Sequence, residues 1–423
     1  MVEQPVYTGK VVGSSPTPRT SRPFALVVQW IERGSSKALM QVRFLPRAQN
    51  MKEGDISFRN KITRFIYKHI LKPVFFHNDP ERVHDSMTRI GVYLGNHPFF
   101  KKLTKFLFDY ENPSLEQKVL GVRFKNPIGL SAGFDKNAEL TDILPSVGFG
   151  FAEVGSITGD VCGGNPKPRL WRLPESKGLV VYYGLKNDGC ESISKKLQNK
   201  TFSIPIGISV AMTNCKDNIV IKNAVRDFAK AFKIMKSVGD YITVNISCPN
   251  TEGGQPFISP HNLDYLLDLI DEIQIEKPVF VKISPDLSHS ELDSILDILK
   301  LHRVHGIICT NLTKKRDNPN ILDNNVPKVG GISGKAVQNL SDNMISYIYK
   351  KERNRFVIIG SGGVFTAEDA YKKIKLGASL IQMITGMIFE GPQVISEINQ
   401  GLVKLLKQNG FKNISEAVGT GVI

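Results

Sequence analysis

Residues 241–309 read YITVNISCPNTEGGQPFISPHNLDYLLDLIDEIQIEKPVFVKISPDLSHSELDSILDILKLHRVHGIIC. Three short apolar runs stand out: Tyr241–Ile246, Val279–Ile283 and Gly306–Cys309. Each is strand-sized and bounded by polar or turn residues, as fully buried strands are. Between them, Leu263–Ile275 and Ser290–Leu301 carry apolar residues at helical spacing. Strands alternating with helices imply parallel pairing, because a parallel neighbour is reached only by a long crossover.

The alternation continues in both directions. Pro127–Leu130, Phe151–Val154 and Ile206–Val210 precede this stretch as strands, and Phe356–Ile359 and Leu380–Ile384 follow it. Ala224–Ser237, Asn339–Lys351 and Thr366–Leu376 are further helices. Eight parallel strands with intervening helices predict an α/β fold, the (β/α)8 TIM barrel. A doubly wound sheet is the structural alternative, but no GxGxxG follows the first strand.

The chain has 423 residues, 41% hydrophobic and 22% charged, which suits a packed globular protein rather than a disordered one. Five cysteines, none in a CxxC pair, exclude a disulfide scaffold and give no reason to expect a metal. They suit a reducing, cytoplasmic setting. No run approaches the roughly 18–20 apolar residues of a membrane span. The net charge of +15 suits nucleic acid, an anionic membrane surface or an acidic ligand, and alone describes only a solvated surface.

Residues 1–50 differ from the rest: GSSPTPRTSRP is breaker-rich and the apolar burst after it has no caps. They resemble a mistranslated transfer-RNA gene, so they are expected to be a non-native or disordered leader, with Met51 as the start. Residues 51–111 form a helical extension. Phe58, Ile62, Phe65, Ile66 and Ile70 fall on one helical face, and Asp79-Pro80-Glu81 is a helix start. The aromatic, basic character of these helices suggests contact with a membrane surface or a greasy ligand, or else packing against the barrel, which takes residues 112–423.

In such a barrel the chemistry belongs at the C-terminal strand ends. Lys136, Asn245, Cys248, Asn250, Lys282, Thr310 and Asn311 fall there. So do Gly362-Gly363 and Thr385-Gly386, whose bare backbone and hydroxyl suit a phosphate.

NPIGLSAGFDKNAE (126–139), KPRLWRL (167–173), NISCPN (245–250), VFVKISPDLS (279–288), CTNLT (309–313), GGISGKA (330–336), IIGSGGV (358–364) and ISEAVG (414–419) together resemble the dihydroorotate dehydrogenase family. The extension, with its DPERVH, resembles that of the membrane-associated, quinone-using class. The resemblance implies oxidation of dihydroorotate to orotate in pyrimidine biosynthesis, with FMN as cofactor. A membrane quinone would accept the electrons, at the inner face of the cell membrane. It further implies that Ala132, Gly133, Ser156, Ser209, Asn245, Lys282, Thr310, Gly334, Gly362, Gly363, Thr385 and Gly386 hold FMN. Lys136, Asn245, Asn250 and Asn311 would hold the substrate. Cys248 would be the base, facing the substrate opposite the flavin, with a thiol that titrates near neutrality if cations lower it.

Four positions depart from the family's pattern: Ser209 stands where the family has a flavin-contacting asparagine on the third strand, and three others follow. Cys248 stands where the quinone-using class has serine, a cysteine being typical of the soluble classes. Val181 replaces a substrate-binding asparagine, a loss that Asn187 is expected to cover, and Ile384 replaces an aromatic residue. Other readings are a soluble enzyme using fumarate, a flavin barrel acting on transfer-RNA dihydrouridine, and a flavin-binding scaffold without turnover. On the leading, quinone-using reading no nucleic-acid partner is expected.

Overall fold

The computed structural model describes residues 53–422. The expected leader and the Met51 start lie outside them. Eight parallel strands close into a barrel: β1 (Ile128–Leu130), β2 (Phe151–Ile157), β3 (Ile206–Val210), β4 (Tyr241–Asn245), β5 (Val279–Ile283), β6 (Gly306–Cys309), β7 (Val357–Ser361) and β8 (Ala378–Met383). Neighbours in the chain are neighbours in the barrel, and β8 returns to β1 with Ile381 opposite Ile128. Nearly every strand residue is buried, because helices cover the outside and side chains fill the inside.

The N-terminal end of the barrel is plugged by Phe124, Phe151, Tyr241, Phe280, Ile308, Ile359 and Leu380. Glycine makes room for these rings. A Cβ on Gly207 would lie 2.1 Å from the Tyr241 ring, and one on Gly129 would lie 2.4 Å from that of Phe151. Phe124 arrives on a small hairpin, Gln117–Val119 with Val122–Phe124. With this end filled, the open C-terminal mouth is left for ligands.

Two additions roof that mouth. The first is an antiparallel sheet of Leu170–Leu173, Gly178–Val181 and Gly331–Ile332, which the periodicity did not reveal. The second is the extension: α1 (Glu53–Ile66), which runs through a π-helical turn at Tyr67–Leu71 into α2 (Lys72–His77), then α3 (Pro80–Asn96) and α4 (Pro98–Phe108). Asp79 caps α3 by accepting from Arg82 N (2.9 Å), with Pro80 in the first turn.

α1 docks by its polar face. Arg59 and Asn60 are its buried residues. Arg59 donates to the carbonyls of Phe106 (2.7 Å) and Asp109 (3.1 Å) and to Ser396 Oγ (2.9 Å). Asn60 reaches Ser396 Oγ and Gln400 Oε1, both at 3.0 Å. Phe58, Ile62, Phe65, Ile66 and Ile70 are left exposed, Phe58 by 65% and Phe65 by 61%. Packing of that apolar face against the barrel is therefore excluded. No helix among the described residues is long and apolar enough to cross a membrane.

Candidate active site

A cavity of about 200 Å³ occupies the C-terminal mouth. Its lining includes Ala132, Gly133 and Lys136 after β1, Ser156 on β2, and Asn245, Cys248 and Asn250 at and after β4. Lys282 comes from β5, Thr310 and Asn311 follow β6, and Gly362, Gly363, Thr385 and Gly386 follow β7 and β8. Gly334 completes the set. Fifteen of the seventeen residues singled out from sequence thus meet in one space.

The other two stand outside it. Ser209 is fully buried and shares a hydrogen bond with Ser156 (Oγ···Oγ 2.8 Å), so it reaches the cavity only through Ser156. Asn187 does not cover for Val181, which corrects the expectation. Its amide donates to Thr158 Oγ1 (2.7 Å) and Leu185 O (2.8 Å) and accepts from the N–H groups of Gly189 (2.8 Å) and Thr158 (3.3 Å). All its capacity is spent in holding a loop.

The floor is a hydrogen-bonded row. Asn245 Nδ2 donates to Ser156 Oγ (2.8 Å), and its Oδ1 accepts from Ser247 Oγ (3.2 Å) and Asn311 Nδ2 (3.3 Å). Lys282 is buried and donates to Ser131 Oγ at 3.1 Å. Burial lowers its pKa, and Glu153 acts on it through space without a hydrogen bond. Asn250 Nδ2 donates to Val181 O (2.8 Å), while its buried Oδ1 has no donor. An ammonium without a bonded counter-ion and an acceptor without a donor are what a ligand leaves behind in a cavity.

Cys248 lies at the cavity wall, and burial pushes its thiol up to about 11. The N–H of Asn250, donating to the sulfur, offsets part of that rise. The thiol therefore does not titrate near neutrality, as the sequence reading expected, because burial outweighs the distant cation Lys314.

The periodicity missed the second wall. His84, from α3, sits there with Phe134, Tyr183 and Lys136. His84 Nε2 donates to Phe134 O (2.9 Å), a carbonyl being able only to accept, and lies 3.5 Å from Lys136 Nζ. Lys136 rests 4.1 Å from the centre of the Tyr183 ring. Burial lowers the Lys136 pKa to about 8, and burial with Lys136 beside it keeps His84 below the usual imidazole range. Glu81 and His84 are three residues apart on one helix and share a face, the signal that could have found His84. Away from the cavity, Asp264, Asp268 and His302 lie close enough to share an ion, but both His302 nitrogens already meet carboxylates, of Asp264 (3.0 Å) and Asp271 (2.9 Å).

Fold and cavity define a (β/α)8-barrel enzyme that works at its C-terminal mouth on a ligand bearing negative charge. Residues 114–406 match the family described as dihydroorotate dehydrogenase. The chain is 36% identical over 374 residues to a Trichodesmium erythraeum protein named dihydroorotate dehydrogenase (quinone), covering 84% of this chain and 98% of that one. A protein of the same name from Nostoc punctiforme is 39% identical over 371 residues, with the same coverage. The crystal structure of the ligand-free enzyme from Eimeria tenella superposes with a TM-score of 0.73 at 30% identity, covering 81% of this chain and 99% of that one.

The chain belongs to the dihydroorotate dehydrogenase family. FMN is the family's cofactor, and the residues present fit it. Lys282 offers a buried cation, while Gly362 and Gly363 turn through positive φ (120° and 72°) where a side chain would strain the backbone and fill the space.

Proposed function

We propose that the chain oxidises dihydroorotate to orotate and passes the electrons to a quinone, with Cys248 as base. The observation that carries this is one cavity holding Cys248, Lys136, Asn250 and Lys282 together. FMN, when bound, supplies the acceptor for the hydride that leaves C6 of dihydroorotate. Cys248 takes the proton from C5, so that a C5=C6 double bond forms as the two hydrogens depart. Lys136 offsets the substrate carboxylate. Asn250, with its unpartnered Oδ1, accepts from a ring N–H, and Asn245 and Asn311 hold the floor rigid beneath it. Lys282, held by Ser131, favours the added negative charge of the reduced cofactor.

The names of the relatives favour a quinone over fumarate and dihydroorotate over transfer RNA. A second observation supports the acceptor: α1 and the π-helical turn after it face five apolar side chains outward, flanked by Lys61 and Arg64. Such a surface lies into the boundary of an anionic membrane, where quinones reside. We place the protein on the inner face of the cell membrane on this ground. The test is anaerobic mixing of the FMN-loaded protein with dihydroorotate. Bleaching of the flavin, followed by rapid recolouring with a short-chain ubiquinone or menaquinone, is expected. Failure to bleach would refute the substrate, and recolouring by fumarate alone would refute the acceptor.

A further inference from the structure

The segment Cys248–Glu252, which carries the proposed base, is held by residues that do not line the cavity. Asn165 lies in the loop after β2. Its Nδ2 donates to the carbonyls of Asn250 (3.0 Å) and Tyr182 (3.1 Å), and its backbone N–H to Tyr183 O (3.0 Å). Its Oδ1 accepts from Asn214 Nδ2 (3.0 Å), and Asn214 Oδ1 in turn accepts from Glu252 N (2.7 Å). Two asparagines thus clamp the base segment at Asn250 and Glu252, and tie it to the Tyr182–Gly184 wall of the cavity.

The clamp is fastened to the extension. Arg169 Nη1 donates to the carbonyls of Gly163 and Asn165, both at 3.0 Å. Its Nε and Nη2 fork onto Glu81, at 3.1 and 2.7 Å to Oε1 and 3.2 Å to Oε2. Glu81 stands in the first turn of α3, and both partners are buried. A forked, buried pair of this kind fixes geometry more firmly than a single contact. A continuous bonded path therefore runs Glu81–Arg169–Asn165–Asn250.

We propose that Asn165 is a positioning residue for proton abstraction, and that the Glu81–Arg169 pair makes α3 part of the dihydroorotate side of the enzyme. The proposal rests on the reading of Cys248 as base. Its physical content is local. Asn250 offers its carbonyl to Asn165, and its N–H, on the adjoining peptide unit, acts to lower the pKa of the Cys248 thiol. Fixing the carbonyl fixes the neighbouring amide plane on the path between them, and an N–H aimed at sulfur favours the thiolate.

The test is stopped-flow bleaching of the FMN-loaded, full-length protein at saturating dihydroorotate across pH 6–11. Asn165→Ala is expected to bleach about tenfold more slowly at pH 8, with its profile displaced about one unit to higher pH. Reoxidation by a short-chain quinone should stay at the parent rate. Asn214→Ala, at the half-buried end of the clamp, should move the profile the same way by a smaller factor and serves if Asn165→Ala folds poorly. Glu81→Gln should shift it too. An unmoved profile in the two asparagine variants, or an equal fall in both half-reactions, overturns the positioning role. A Glu81→Gln effect confined to reoxidation overturns the link to the extension. Cys248→Ala separates the two readings: if it keeps the parent pH dependence, the base assignment itself has failed, whereas loss of that dependence with Asn165→Ala unmoved sinks the clamp alone.

Discussion

The two titrating groups of the cavity pull in opposite directions, and their sum can be worked out. With Cys248 as the proposed base and Lys136 as the proposed partner of the substrate carboxylate, capture of dihydroorotate by the free enzyme needs the lysine charged and the thiol deprotonated. Burial lowers Lys136 to about 8 and raises Cys248 to about 11. Below the lower value the lysine is charged, and the thiolate fraction grows about tenfold per pH unit. Between about 8 and about 11 the charged lysine falls as fast as the thiolate grows. The profile of kcat/KM for flavin bleaching is therefore expected to climb with unit slope to near pH 8, then stay level. Lys136→Arg removes the lower break, because a guanidinium stays charged throughout. Its absolute rate will drop through poorer fit, but its profile should keep climbing past pH 8. By pH 10, two units above the break, the variant should have gained about 100-fold on the parent relative to their ratio at pH 7. The assay is anaerobic stopped flow at subsaturating dihydroorotate. A plateau in the variant that matches the parent's would show that Lys136 does not titrate in the free site, and the account of the substrate carboxylate would fall with it.

Other outcomes follow from single contacts. Cys248→Ala should slow bleaching by about 10²–10⁴-fold, the span of a lost general base, while Cys248→Ser should be slower than the parent at pH 8 and, at saturating dihydroorotate, still rising at pH 11, read by stopped flow. Gly363→Ala should lose bound FMN on gel filtration, because φ is 72° there and the new Cβ would meet that of Gln338 at 2.3 Å. Replacing Phe58, Phe65 and Ile70 with serine should abolish sedimentation with anionic vesicles and leave bleaching by dihydroorotate unchanged, since all three side chains are exposed and remote from the cavity lining. Arg59→Ala should cost about 2–4 kcal/mol in urea unfolding, because the carbonyls of Phe106 and Asp109 lose a buried donor.

The barrel was legible because parallel strands covered on both faces are continuous apolar runs. Ile206–Val210, Val279–Ile283 and Gly306–Cys309 begin and end where the sequence predicts. Three-residue β1 was legible only by the turn residues around it. The roof sheet was not. Its Leu170–Leu173 strand is mostly half-buried, and its third strand, Gly331–Ile332, is two residues long and pairs with Val180 and Val181 about 150 residues earlier. The cavity residues were legible as a set because barrel topology collects strand ends, whatever the loops do. What failed was local. Asn187 has the right chemistry and nearly the right position, but a side-chain amide that finds four partners in its own loop has nothing left for a ligand. Nothing in the residue type reveals that. The thiol of Cys248 went wrong for a related reason: cations in the neighbourhood are visible in a sequence, and the depth of burial is not.

The extension shows most clearly where periodicity stops. Phe58, Ile62, Phe65, Ile66 and Ile70 establish that α1 is two-sided, but a two-sided helix can turn either face to the protein. In water the apolar face would win, at roughly 25 cal/mol for each Å² covered. Here Arg59 and Asn60 are buried instead, with Ser396 and Gln400 arranged to receive them. Buried polar groups satisfied this fully are a designed fit, since an unpaired guanidinium would not be tolerated there. The barrel's own helix Val394–Gln408 thus supplies a polar seat, and α1 is committed to displaying its apolar side. The orientation of α1 is therefore chosen by residues more than 330 positions away.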